Sequence, residues 1–133
     1  MKKVHLIFGA AVVLAFLLTG QYMDKFYNHM VGVPDAPRLL YRTRHIFVLL
    51  SGLVNLGIGA YFTYRIEPWR RTIQLLGSLF IFAAPVLYLW AFFYEPKLTN
   101  LYTPLSHWGT YLIFAGAILH VLSGLGQKRF TGS

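Results

Sequence analysis

The stretch HIFVLLSGLVNLGIGAYFTY, residues 45–64, decides the fold, because it contains no Asp, Glu, Lys or Arg. A helix rises about 1.5 Å per residue, so about 20 apolar residues are enough to cross the hydrocarbon core of a bilayer. Three further runs of similar length lack the same four residue types, at positions 4–23, 72–94 and 98–127. The sequence therefore predicts four membrane crossings.

The composition of the 133-residue chain agrees with this prediction, since 56% of the residues are hydrophobic and 12% are charged. Soluble globular domains carry about 25% charged residues. In lipid a helix satisfies its own backbone hydrogen bonds, so each crossing should be helical. We predict an all-α integral membrane bundle of four transmembrane helices with short loops. It forms one domain over residues 1–133, with helices near 4–23, 39–63, 70–94 and 104–125.

The basic residues predict the orientation. Lys2 and Lys3 precede the first apolar run, as in a secretory signal peptide, but no small-x-small cleavage motif follows at residues 18–20, so we expect an uncleaved anchor. With a cytoplasmic amino terminus, seven Lys and Arg residues lie inside and five outside. This bias agrees with the positive-inside rule. We expect both termini to be cytoplasmic in a multi-pass protein of the bacterial inner membrane.

Several classes of chemistry are disfavoured by what the sequence lacks. The absence of cysteine excludes disulfides, iron–sulfur clusters and thiolate metal sites. No HExxH, P-loop or GxSxG motif is present. The four uncharged runs contain no carboxylate, which argues against proton-coupled transport. The net charge of +8 collects at the helix ends, so the bilayer and not nucleic acid is the expected partner.

The histidines raise the possibility of a cofactor. His45 and His107 are predicted at the outer ends of helices two and four, and His5 and His120 toward the inner ends of helices one and four. Imidazoles at two levels on facing helices could ligate two haem b groups. However, His107 and His120 are 13 residues apart, which places them about 140° apart around their helix.

Each candidate ligand also has an ordinary structural interpretation. His120 lies among Leu and Val, where an imidazole needs a hydrogen-bond partner or a metal. His45 follows two arginines and could mark the membrane interface, and His107 could belong to the first turn of its helix. His5 lies only two residues beyond Lys3, which is shallow for a haem edge. The fifth, His29, is predicted in a solvated loop.

Arg38 and Arg42 stand one helical turn apart and are joined by Arg44 in a basic cluster before His45. The cluster could bind lipid headgroups, or it could hold the propionates of a haem ligated by His45. Asn55, one turn after Ser51, is the most polar side chain near the middle of a crossing. We expect it to face the bundle interior, either in an interhelical hydrogen bond or in a cofactor contact.

Small residues predict the packing faces. Helix one places His5, Gly9, Val12, Phe16 and Gly20 on roughly one face. Helix three carries Gln74 and Ser78 one turn apart with Gly77 beside them, while helix four offers Gly109 and Gly116. Such residues let helices approach closely in lipid.

These observations favour a small accessory or structural membrane protein without its own catalytic site, and the expected partners are a larger membrane complex or further copies of the chain. The alternative is a haem-b electron-transfer protein that interacts with quinone or another cytochrome. The predicted form resembles small cytochrome-b-like four-helix membrane proteins in architecture, not through a motif. A third class, binding of a lipid or small solute near Asn55 and Pro85, has weaker support.

Overall fold

The computed structural model describes residues 1–98 and 101–125. These residues form four long helices: α1 (Lys2–Tyr27), α2 (Asp35–Tyr61), α3 (Pro68–Tyr94) and α4 (Pro104–Gly124). Short 3₁₀ turns follow α1 (Asn28–Met30) and α3 (Glu95–Lys97). No strand occurs in the described part of the chain. All four helices are long and apolar enough to cross a membrane, as the sequence predicts.

The first loop is shorter than the sequence suggests. The first predicted helix ends near residue 23 and the second begins near residue 39, but α1 continues to Tyr27 and α2 begins at Asp35. Pro34 is the cap residue of α2, and Pro37 falls in the first helical turn. The N–H groups of a first turn have no partner within the helix, so a proline there removes no hydrogen bond.

Close helix pairs build the bundle: α1 packs most extensively on α2, and α3 on α4, with α2 joining the two pairs to one another. Glycines permit the closest approaches. A Cβ on Gly9 would lie 2.9 Å from the backbone nitrogen of Leu56, and one on Gly116 would lie 2.6 Å from Ile81 Cγ1. Real Cβ atoms do not come this near, so these positions require glycine at the present helix spacing.

The interior alternates between polar and apolar layers. Its apolar centre is formed by Val12, Val48, Ala84 and Tyr88. We call the end of the bundle where α1 begins and α4 ends the amino end, and the other the opposite end. Buried polar groups lie on each side of the apolar centre: His5, Asn55 and Ser78 toward the amino end, and Arg44 and Glu95 toward the opposite end. These two polar layers contain the candidate functional residues.

Candidate functional site

The polar layer at the amino end draws one side chain from each helix. We define the amino-end cluster as His5 of α1, Asn55 of α2, Ser78 of α3 and His120 of α4. His5 Nδ1 lies 3.0 Å from Asn55 Oδ1, and His5 Nε2 lies 2.9 Å from Ser78 Oγ. Ser78 Oγ is also 3.2 Å from His120 Nε2. His5, Asn55 and Ser78 are fully buried, so the hydrogen bonds of the cluster cross the bundle interior.

The direction of these hydrogen bonds follows from Asn55. Its Nδ2 donates to the backbone carbonyls of Ser51, at 2.9 Å, and Ile81, at 3.3 Å. The amide oxygen must therefore face His5, whose Nδ1–H donates to it. In neutral His5 the other ring nitrogen accepts, so the Ser78 hydroxyl donates to His5 Nε2, and the same hydroxyl oxygen accepts from His120 Nε2–H. The cluster is thus one continuous chain of hydrogen bonds with a defined direction.

Aromatic rings enclose His5. The Phe82 ring is stacked on the imidazole with ring centroids 4.3 Å apart, and Phe62 lies at 5.7 Å. His5 and His120 are 6.1 Å apart, centroid to centroid. Both nitrogens of His5 are already bonded and one face is covered by Phe82. Seating a haem on His5 would therefore require the hydrogen bonds of the cluster to be broken and Phe82 to move.

The layer at the opposite end contains an ion pair. We define the ion-pair cluster as Arg44 of α2, Glu95 of the 3₁₀ turn after α3, and Ser106 of α4. Arg44 Nε donates to Glu95 Oε2 at 2.7 Å, and Arg44 Nη1 donates to Thr43 Oγ1 at 2.7 Å. Glu95 also accepts from the Ser106 backbone N–H, at 3.0 Å, and from the Ser106 hydroxyl, at 2.6 Å. The carboxylate therefore caps the first turn of α4 while it neutralises Arg44.

This ion pair is buried, because Arg44 is 5% exposed and Glu95 is 0% exposed. The sequence placed Glu95 in a loop and grouped Arg44 with the headgroup-binding arginines, and the structure differs on both residues. Glu95 lies in a 3₁₀ turn that continues the end of α3 and folds under α4, where Ser106 and Arg44 enclose it. Buried charges need partners of opposite sign, and here Arg44 and Glu95 are the partners of one another.

The two predicted outer histidines have separate surroundings. The His45 ring stacks on Phe16 with centroids 4.0 Å apart, and its Nδ1 lies 2.9 Å from Thr19 Oγ1. The Thr19 hydroxyl donates to the Phe16 carbonyl at 2.8 Å, so His45 Nδ1 carries the hydrogen. His107 is exposed and bonded within its own helical turn, with Nδ1 2.7 Å from the Thr103 carbonyl oxygen. The proposed pairing of His45 with His107 stays a prediction.

The predicted arginine pair lies at the surface. Arg38 forms an ion pair with Asp35, and Arg42 is exposed. With Leu39 these residues line an open cleft of about 290 Å³. His45 is not among the lining residues, because its ring is turned toward α1.

The cavity suggested for a lipid or solute is a groove on the side of the bundle. It has a volume of about 160 Å³ and is lined by apolar residues of α1 and α3, including Phe8, Val12 and Pro85. Asn55 does not line it, since its amide belongs to the amino-end cluster. Among the described residues, no group of three or more His, Cys, Asp or Glu side chains is arranged to hold a metal ion.

Sequence reasoning predicted that Asn55 faces the interior, and its full burial confirms this. It missed the roles of Ser78, Arg44 and Glu95. Ser78 was recognised only as a packing residue. A signal for Glu95 was available, because it directly follows the third uncharged run, at the level where α2 carries Arg44.

Comparison of the chain with models of known protein families, with curated proteins and with solved structures finds no match to any of the three.

Proposed function

We propose that the chain is a small polytopic protein of the bacterial inner membrane, with both termini in the cytoplasm and an accessory or structural role. The observation that carries this proposal is the amino-end cluster, in which polar side chains of all four helices are bonded to one another, three of them fully buried and His120 half-buried. A catalytic histidine must reach a substrate, whereas His5 has no exposed surface and both its nitrogens are engaged. These hydrogen bonds serve to hold the four helices together.

The ion-pair cluster supports the same conclusion at the other end of the bundle. Arg44 and Glu95 connect α2 to the turn after α3, and Ser106 attaches the start of α4 to the same carboxylate. Hydrogen bonds thus join all four helices at the amino end, and α2, α3 and α4 at the opposite end, which favours a rigid body. Such a body is suited to acting through its outer faces, by packing against another membrane protein or against a second copy.

The outermost helices supply these faces. α1 exposes Ile7 and Leu14, and α4 exposes Trp108, Phe114 and Val121. Lipid alone can cover such side chains. A partner would be detected by placing a photo-crosslinking amino acid at Phe114, on α4, and at Leu14, on α1, in separate variants expressed in cells.

The accessory role predicts a crosslink of discrete mass, from either position, to another membrane protein or to the same chain. Crosslinks to lipid alone from both positions would contradict the accessory role. Tyr61, exposed at the end of α2, is a suitable control position for random collision.

One observation favours the second candidate, a haem-b electron-transfer protein. The structure brings His5 and His120 from two helices to the same hydroxyl group, with Nε2 of each ring directed at Ser78. Ligands on facing helices are a known way of building a cofactor site in a bundle. Haem b would supply reversible one-electron chemistry, and this chain would hold it through these two imidazoles once the hydrogen bonds of the cluster were broken and Phe82 had moved.

Optical spectra separate the two candidates. A chain purified in mild detergent from haem-replete cells should be colourless if its role is accessory. A Soret band that shifts on reduction with dithionite would favour haem instead. Loss of that band in His120→Ala, with helicity retained by circular dichroism, would assign a ligand.

A further inference from the structure

A polar cleft opens between α2 and α4 at the opposite end of the bundle. It has a volume of about 260 Å³, and its walls include Arg44 and Phe47 of α2 and His107 and Tyr111 of α4. Arg44 and Ser106 of the ion-pair cluster line the cleft together with two aromatic side chains, Phe47 and Tyr111. The volume is suited to a single substituted six-membered ring with its tail outside the cleft.

The charges of the cleft select an uncharged ligand. Arg44 is its cation, and that charge is neutralised by Glu95 Oε2 at 2.7 Å. A guanidinium has five N–H groups, and two of them are used on Glu95 and Thr43. Arg44 therefore offers hydrogen-bond donors to the cleft without an excess positive charge, which favours a neutral acceptor such as a carbonyl or hydroxyl oxygen over a phosphate.

His107 supplies the complementary group. Its Nδ1 lies 2.7 Å from the backbone carbonyl oxygen of Thr103, and a carbonyl only accepts, so Nδ1 carries the hydrogen. In the neutral ring Nε2 is then an acceptor. The residues that line the cleft thus include a donor, Arg44, and, in the neutral form of its ring, an acceptor, His107.

We propose that this cleft binds the head of an isoprenoid quinol, that is, a neutral aromatic ring with two opposed hydroxyl groups on a lipid tail. One oxygen accepts from Arg44, the opposite hydroxyl donates to His107 Nε2, and the ring packs against Phe47 and Tyr111. The oxidised quinone has only acceptors, so it cannot satisfy His107 Nε2 and binds more weakly. This binding site goes beyond the accessory role and does not depend on haem.

The test uses the full-length chain in detergent, under argon, with thermal unfolding followed as ligand is added. The probes are decylubiquinol, decylubiquinone and dioleoylphosphatidylglycerol, because a ligand of the folded state raises the unfolding temperature in a saturable way. Decylubiquinol should bind about tenfold more tightly than decylubiquinone, the difference expected for one hydrogen bond. The anionic phospholipid should give no saturable shift.

His107→Phe keeps an aromatic ring but removes Nε2, so the two forms of the ring should then bind with equal affinity. His29→Phe, at an exposed histidine in the other loop of the same end, is the matched control and should keep the tenfold preference. The proposal is overturned if neither ring compound binds saturably to the wild-type chain. It is equally overturned if His107→Phe keeps the preference for the quinol, or if the phospholipid binds as well as the quinol does.

Discussion

Replacing Arg44 by Met should destabilise the fold strongly, because it leaves a charge buried. Met has a similar length and fills the space beside Phe47, but it cannot donate to Glu95. The Glu95 carboxylate has no exposed surface and would keep only its two bonds to Ser106. Removal of one partner from a buried ion pair costs about 3–5 kcal/mol. We expect Arg44→Met to lower the free energy of unfolding by about this amount.

The measurement is reversible unfolding in mixed micelles, with helicity followed by circular dichroism as SDS is added. Arg42→Met is the matched control, since Arg42 is two residues away on the same helix but exposed. Surface substitutions of this kind change stability by about 0.5 kcal/mol or less. The double variant Arg44→Met with Glu95→Gln removes both charges, and it should be about 1–3 kcal/mol more stable than Arg44→Met alone.

A stabilising role of the buried ion pair is refuted if Arg44→Met and Arg42→Met unfold at the same SDS concentration. It is also refuted if Glu95→Gln makes the Arg44→Met variant less stable, because an uncompensated carboxylate would then not be the source of the loss.

Three further substitutions test the packing and the hydrogen bonds in the same unfolding assay. Ser78→Ala leaves two imidazole nitrogens without a partner and should lower the free energy of unfolding by about 1–3 kcal/mol. Ser51→Ala is the control, since Ser51 is equally buried but bonded only to its own helix, and it should cost less than half as much. Equal losses would contradict the shared role of the Ser78 hydroxyl. Gly116→Ala forces α3 and α4 apart and should lower the free energy of unfolding by about 1–3 kcal/mol. Gly57→Ala is the control and should be neutral or stabilising, because a Cβ at Gly57 would lie in open space. A Gly116→Ala variant of unchanged stability would contradict the close approach of the two helices. His45→Phe keeps the stacking on α1 and loses one hydrogen bond, so it should cost about 1 kcal/mol or less, and a loss above about 2 kcal/mol would indicate a further role for the imidazole.

Features that depend on regular spacing could be predicted from the sequence. The four uncharged runs correspond to four helices, and the predicted face of helix one includes the buried residues His5, Gly9 and Val12. Asn55 was expected to face inward for the same reason, since a polar amide in the middle of an apolar helix is costly in lipid. Helical periodicity and the cost of burying polar groups are local properties, and a single sequence reports them.

Contacts that depend on how helices are brought together could not be predicted. The pairing of Arg44 with Glu95 joins residues 51 positions apart, and it requires the 3₁₀ turn after α3 to fold beneath α4. Ser78 becomes the centre of the amino-end cluster only because α1 and α4 deliver a histidine each to its hydroxyl. The early start of α2 is not predicted, since proline generally disfavours a helix and Pro37 is tolerated here only because it lies in the first turn.

The central claim is that four helices cross the membrane and enclose these clusters, and single-cysteine labelling tests it most directly. The natural chain has no cysteine, so one can be introduced at a time without other changes. Cells expressing Gly32→Cys, Glu67→Cys or Leu101→Cys would be treated with a membrane-impermeant maleimide. Cysteines at 32 and 101 should react in intact cells with a permeable outer membrane, and a cysteine at 67 only after lysis. Labelling of all three positions from the same side would contradict the four crossings.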